Sequence, residues 1–135
     1  MQISVETLVR APIDEVWNAY VTPEDIKQWN AASDDWHTTE SRVDLREGGE
    51  FSSRMAAKDG SMAFDFAGTY TKIISHSLIE YALGERSVQV HFEEVPTGVR
   101  VQVVFDSEPT HSEEQQREGW QAILSNFARH VETKP

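Results

Sequence analysis

The chain opens with alternating apolar and polar residues, the period-two pattern of a strand with one buried face. This pattern predicts a first strand over 3–9. Apolar residues at helical spacing follow Pro12, and because proline is favoured at the first position of a helix, a short helix is predicted there. Thr22 precedes a second proline and two acids. A second short helix is therefore predicted to begin there and to end near Trp29.

Period-two alternation returns after the second helix and continues in six segments separated by short turns. Gly48 with Gly49, and Asp59 with Gly60, supply two of these turns. Because consecutive strands joined by short turns pair antiparallel, the six segments predict a meander. The predicted strands are 37–45, 51–55, 62–70, 78–83, 87–95 and 99–105.

The C-terminal segment has the pattern of one long helix. Ser112 and Gln115 match a capping box, and the roughly 20 residues from Glu113 onward would span about 30 Å as a helix. Trp120 lies in the middle of the apolar stripe and is predicted to be buried, so Trp120→Ala is expected to cost about 3–5 kcal/mol. The stripe consists of Trp120, Ile123, Leu124, Phe127 and Val131.

The element order is one strand, two short helices, six strands and a long helix, which is an α+β arrangement. A seven-stranded antiparallel sheet twists too strongly to lie flat on one helix about 10 Å wide, so it should curl around the C-terminal helix. Gly68 and Gly119 suggest places of close approach or bending, with ordinary packing beside an aromatic residue as the simpler alternative. A length of 135 residues fits a single domain over 1–135.

The charge and composition narrow the range of partners. Twelve Lys and Arg against 23 Asp and Glu give a net charge of −11, which would repel nucleic acid and anionic membranes, so neither is expected as a partner.

The chain has no cysteine, which excludes disulfides and thiolate chemistry and is typical of a reducing compartment. No signal-peptide pattern or long apolar run is present, so the expected location is cytoplasmic.

Four motifs follow one another along essentially the whole chain. They are Ala11-Pro12 with Val16-Trp17 and Trp29, DLREGGEF at 44–51, FAGTY at 66–70 and GWQAILSNF at 119–127. In this order they resemble the motifs of the SRPBCC superfamily, also called START-like or birch-pollen-allergen-like. The resemblance is greatest to the branch named after the activator of heat-shock-protein ATPase, which is also described as polyketide-cyclase-like.

The resemblance implies a helix-grip fold with a cavity between the sheet and the long helix. Members of the superfamily bind lipids, hormones or polyketides, assist chaperones, or cyclise substrates, so the fold alone does not choose among these functions. In the resembled fold, the loop between Trp29 and Trp36 lies at the mouth of the cavity. Our hypothesis is a protein that binds a small apolar or amphipathic molecule in this cavity.

The candidate ligand-binding residues are apolar side chains expected around the cavity, together with hydroxyls on inward strand positions. A hydroxyl in a dry cavity could orient a carbonyl or hydroxyl group of a ligand, although a bond to backbone or to buried water explains it equally well. The apolar candidates are Trp29, Trp36, Phe51, Met55, Phe64, Phe66, Trp120 and Leu124. The hydroxyl candidates are Thr39, Ser41 and Ser53.

No motif of a catalytic or metal site is present. The five histidines have no metal-ligand spacing, no G-x-S-x-G occurs, and the strand acids fall on the predicted outer face, so no catalytic residue, metal or cofactor is assigned.

Two alternative functions stay open. One is a cyclase or hydrolase acting in the same cavity, which would need an inward acid, base or histidine. The other is a chaperone-associated module, which is less favoured because the chain carries one domain and lacks the additional partner-binding domain of the eukaryotic activators. Proteins of this class often pair, so a homodimer is compatible with the sequence, although no unassigned apolar stripe demands one.

Overall fold

The computed structural model describes residues 2–134, which form seven strands and three helices. The strands are β1 (Gln2–Val9), β2 (Trp36–Val43), β3 (Glu50–Ala57), β4 (Ala63–Ile74), β5 (Leu78–Leu83), β6 (Arg86–Val95) and β7 (Gly98–Asp106). The helices are α1 (Ile13–Val21), α2 (Pro23–Trp29) and α3 (Glu113–Glu132). This order is the predicted one.

The strands form one antiparallel sheet in the order β1-β7-β6-β5-β4-β3-β2. Consecutive strands from β2 to β7 are neighbours in the sheet. β1 forms the edge opposite β2 and pairs with β7, with Ile3 opposite Phe105. The sheet curls around α3, so the predicted helix-grip α+β fold is confirmed. Several predicted bounds were wrong: β2 ends at Val43, β3 continues to Ala57, β4 continues to Ile74, and Met62 lies outside β4 with 64% of its surface exposed.

The core lies between the concave face of the sheet and α3. Alternate residues of β7 point inward, and Val101, Val103 and Phe105 are almost completely buried. Phe127 of α3 is fully buried and packs edge-on against Tyr20 of α1 at a ring distance of 5.1 Å. Burial of this apolar surface is the main source of stability for the fold.

Side-chain contacts hold both ends of α3 in place. The predicted capping box is confirmed, since Ser112 Oγ accepts from Gln115 N at 3.1 Å and Gln115 Oε1 accepts from Ser112 N at 3.2 Å. At the other end, His130 Nε2 lies 2.8 Å and Lys134 Nζ 2.7 Å from Asp25 Oδ1 on α2. Partial burial alone would raise the pKa of Asp25, but hydrogen bonds from Lys134 and His130 outweigh it and lower that pKa. The end of α3 is therefore tied to the helix that borders the cavity.

Gly119 sits in the first half of α3 without a close neighbour. A Cβ built on it would meet no atom within 4 Å outside its own helical turn. The suggestion of a close approach at Gly119 is therefore wrong.

We expect Gly119→Ala to raise the free energy of unfolding by about 0.5–1 kcal/mol, because alanine restricts the unfolded chain and favours the helix. Urea unfolding followed by circular dichroism would measure the change. A loss of stability would show that the space around Gly119 is occupied.

Within residues 2–134, none of the three helices combines the length and apolar character that crossing a lipid bilayer requires.

Candidate ligand-binding cavity

A cavity of about 430 Å³ lies between the concave face of the sheet, α2 and α3. Its size is within the range of pockets that hold small organic ligands. It is lined by Tyr20, Val21, Ile26, Trp29, Asn30, Ala32, Ser33, Trp36, Val43, Phe51, Ser53, Met55, Phe64, Phe66, Tyr70, Ile79, Tyr81, Val103, Trp120, Ile123 and Leu124.

The wall of the cavity is apolar and rich in aromatic rings. Trp120 stacks on Phe105 with ring centroids 4.5 Å apart and meets Phe66 edge-on at 6.2 Å. On the opposite side, Phe51 contacts Tyr81 edge-on at 4.8 Å. Among the described residues that line the cavity there is no Asp, Glu, His, Lys or Arg. Such a wall favours a flat apolar ligand over a charged one.

The mouth of the cavity lies where its lining residues reach the surface. Ala32 and Ser33 are exposed, and Phe64 keeps 48% of its surface accessible. Trp36 packs against Phe64 with ring centroids 5.8 Å apart. The predicted position of the mouth, between Trp29 and Trp36, matches this arrangement.

The loop that forms one side of the mouth is fixed by two hydrogen bonds. Asn126 of α3 donates from Nδ2 to Ala31 O at 2.6 Å, and Thr38 of β2 donates from Oγ1 to Asn30 O at 2.6 Å. The loop backbone is therefore attached both to the long helix and to the edge strand.

Trp29 belongs to the core as well as to the wall. It is 6% exposed, its Nε1 donates to Ala19 O at 3.0 Å, and its ring meets Phe127 edge-on at 5.0 Å. Trp120, by contrast, is half-buried and borders the cavity, so the prediction of a buried Trp120 was wrong.

All predicted site residues line the cavity except Thr39 and Ser41. Thr39 was expected to face inward, but a bulge between Thr38 and Glu40 leaves it unpaired and exposed, and Thr38 takes the inward position. Ser41 is half-buried opposite Ser53, with the two hydroxyl oxygens 3.4 Å apart, and lies outside the cavity.

The polar groups of the wall include three tyrosines that the prediction did not select. Burial raises the pKa of Tyr70 to about 12, with a further contribution from the Asp44 carboxylate. Burial, followed by the neighbouring Tyr70 phenol, raises the pKa of Tyr20, and burial together with both phenols raises the pKa of Tyr81. All three are therefore neutral hydrogen-bond donors at physiological pH. The sequence did offer a signal for these polar groups, because tyrosine stands at inward positions where phenylalanine would supply the same ring without a hydroxyl.

The strand acids considered in the sequence analysis are not among the lining residues of the cavity. The strand acids Glu50, Asp65 and Glu93 are exposed, as their alternation predicted. In the described part of the chain, no group of three or more metal-ligating side chains is close enough to hold an ion.

Comparisons with known proteins agree with this architecture. The family described as Activator of Hsp90 ATPase homolog 1-like protein matches residues 10–132. A solution structure of an AHSA1-like protein from Aeromonas hydrophila is 49% identical with a TM-score of 0.92, covering 98% of this chain and 92% of that one. A solution structure from Cytophaga hutchinsonii is 42% identical with a TM-score of 0.84, covering 97% and 92%.

More distant structures share the fold alone. A crystal structure of a protein from Chromobacterium violaceum is 21% identical with a TM-score of 0.88 and covers 99% of both chains. No curated protein matches the chain in sequence.

Proposed function

Since the chain belongs to the family of Activator of Hsp90 ATPase homolog 1-like proteins and has an aromatic-lined cavity, we propose that it binds a small apolar or amphipathic molecule. The ligand would lie between the concave face of the sheet and α3. Its apolar part would contact the rings of Phe51, Phe66 and Trp120.

The observation that carries this proposal is the cavity itself. A volume of about 430 Å³ is far more than a single water occupies, and protein interiors are normally filled by their own side chains. Stability alone would favour larger side chains at positions such as Ser53, whose small side chain helps to keep the space open. A cavity open at the Phe64 end also gives a ligand a route of entry.

The same lining favours binding over acid–base catalysis. General acid–base catalysis works best with groups whose pKa lies near the operating pH. The titratable side chains among the lining residues are the tyrosines, and their pKa values are raised. They can donate hydrogen bonds, but they are poorly matched to proton abstraction near pH 7.

The test uses the fluorescent apolar probe 1-aminoanthracene and the substitution Ser53→Trp. Wild-type protein is expected to give a saturable rise in probe emission as the probe leaves water. Ser53 lines the cavity from β3, so an indole there would occupy part of the space and weaken probe binding by about tenfold or more.

The matched control is Ser52→Trp, on the adjacent residue of the same strand. Side chains of neighbouring strand residues point to opposite faces, and Ser52 does not line the cavity. Probe affinity should therefore stay within about twofold of wild type, since surface changes are usually near neutral. Equal loss in both variants, or no saturable signal in any protein, would overturn the proposed function.

A further inference from the structure

A second cluster of polar side chains lies outside the cavity, where the turn between β4 and β5 meets the start of α1. His76 Nε2 lies 3.0 Å from Asp14 Oδ1, and His76 Nδ1 lies 2.6 Å from Ser75 Oγ. Ser75 and Asp14 are exposed, His76 is half-buried, and none of the three lines the cavity. A hydroxyl, an imidazole and a carboxylate joined in this order are the parts of a hydrolytic triad.

The two contacts fix the position of the proton on His76. An ionised carboxylate can only accept hydrogen bonds, so the ring nitrogen facing Asp14, Nε2, carries the hydrogen. The neutral ring then keeps a lone pair on Nδ1, which accepts from the Ser75 hydroxyl. The base is therefore already aimed at the nucleophile, as general-base catalysis requires.

The backbone of His76 is held in an unfavourable conformation. Among residues 2–134, His76 is the one residue other than glycine with a positive φ, 63°. It occupies the third position of a β-turn closed by a hydrogen bond from Ser77 N to Ile74 O at 3.0 Å, a position that favours glycine. Strained residues of this kind persist where the surrounding contacts hold them, and they are frequent at functional sites.

The imidazole of His76 also rests on a rigid aromatic platform. Its ring stacks on the indole of Trp17, with centroids 5.4 Å apart and planes 22° from parallel. Trp17 is only 5% exposed and packs edge-on against Phe92 at 5.1 Å, so this platform is part of the core. An imidazolium formed during a reaction would be stabilised by the indole face and by the Asp14 carboxylate.

Backbone donors are available beside the hydroxyl. Within the described range 2–134, the N–H groups of Ser75 and His76 donate to no backbone or side-chain acceptor. Two successive free N–H groups next to a nucleophile can bind the oxyanion of a tetrahedral intermediate.

We propose that Ser75, His76 and Asp14 form an esterase site on the surface of the protein, separate from the cavity. The inference is independent of the proposed function, because it uses none of the lining residues. Ser75 and His76 are the catalytic residues, and Asp14 is a positioning residue that acts through His76.

The reaction proceeds through an acyl-serine. Ser75 Oγ attacks the carbonyl carbon of the ester while its proton passes to His76 Nδ1. The carbon–oxygen bond to the leaving group then breaks, and the alcohol departs with the proton from His76. Water attacks the acyl-serine in the same way, which releases the carboxylic acid and restores the Ser75 hydroxyl.

The surroundings of the site define the substrate class. Ser75 and Asp14 are exposed, so the oxyanion donors act in water, where they stabilise charge less than in a closed site. The substrate must therefore have a good leaving group. Asp14 and the exposed Glu15 next to it, within a chain of net charge −11, disfavour anions. These features fit an uncharged ester of a short carboxylic acid and a phenol.

The test measures turnover of p-nitrophenyl acetate at neutral pH above the buffer rate, together with peptide mapping of acid-quenched protein. Wild type is expected to turn over repeatedly and to carry a transient acetyl group on Ser75. Ser75→Ala should lower the rate at least about tenfold, because loss of a nucleophile or its base usually costs more than that. Asp14→Asn should lower it about three- to tenfold, since an amide no longer fixes the ring proton.

His76→Gly separates chemistry from structure. Glycine suits the positive φ, so the turn should form without the imidazole, and circular dichroism checks the fold. The variant should lose activity at least about tenfold and regain part of it with added free imidazole, which can occupy the space between Trp17 and Asp14. A purely structural role for His76 would give no such rescue.

Ser77→Ala and His37→Gln are the matched controls, the second serine of the same turn and an exposed histidine on β2. Both should keep the rate within about twofold of wild type. The esterase site is wrong if Ser75→Ala retains the wild-type rate, if acetyl groups appear on lysine or on other residues but not on Ser75, or if wild type shows no turnover above buffer. Equal losses in the controls would overturn it as well.

Discussion

Replacing Phe127 with alanine is expected to lower the free energy of unfolding by about 3–5 kcal/mol. Phe127 is fully buried, and its ring packs against Tyr20 and Trp29 at 5.1 and 5.0 Å. Its loss would leave a void where α1, α2 and α3 meet, which the surrounding side chains could fill only in part. Urea unfolding followed by tryptophan fluorescence measures the effect.

Trp120→Ala is the informative comparison, because tryptophan is the larger side chain of the same helix. Trp120 borders the cavity and is half-buried, so its removal enlarges an existing space instead of opening a new one. The loss should be smaller than that for Phe127→Ala by at least about 1 kcal/mol. A larger loss for Trp120→Ala would mean that the wall is packed as tightly as the core.

Gly68→Ala should destabilise the protein by about 2–3 kcal/mol, although it adds a single methyl group. A Cβ on Gly68 would lie 2.6 Å from Ala82 O and 2.9 Å from Phe51 Cζ. The carbonyl belongs to the neighbouring strand and cannot move away without disturbing the ladder. The ring of Phe51 would also shift, and with it the wall of the cavity. Thermal and urea unfolding would measure the loss.

Ala67→Val provides the matched control for Gly68→Ala. Ala67 is the preceding residue of β4, is exposed and lies opposite Ser52. Valine is favoured in strands, so the stability should change by no more than about 0.5 kcal/mol. Equal losses at the two positions would show that β4 tolerates no enlargement and that the close approach at Gly68 is not the cause.

The fold could be predicted because its determinants are local and repeated. Alternation over strands, Pro12 and Pro23 at helix starts, and the Ser112 capping box each specify an element without knowledge of its neighbours. The motifs then indicated how the sheet and long helix are assembled. The suggestion of a close approach at Gly68 is confirmed, because the Ala82 carbonyl oxygen and the Phe51 ring leave no room for a Cβ there.

The errors at the site arise from features that periodicity does not encode. A single extra residue in β2 reverses the side-chain phase, which exposes Thr39 and buries Thr38. Trp120 has the spacing of a core residue, but its exposure depends on how far the sheet stands from α3. The position of Tyr20 in the cavity wall depends on the packing of α1 over the sheet, and no sequence pattern specifies that packing.

The central claim is that a small apolar molecule binds inside the cavity, and intermolecular nuclear Overhauser effects test it most directly. The measurement uses methyl-labelled protein and 1-aminoanthracene. The account predicts contacts from the probe protons to the methyl groups of Ile79, Val103 and Leu124, which line the cavity. Contacts restricted to exposed methyl groups such as those of Met62 and Leu45, or no saturable contact at all, would contradict it.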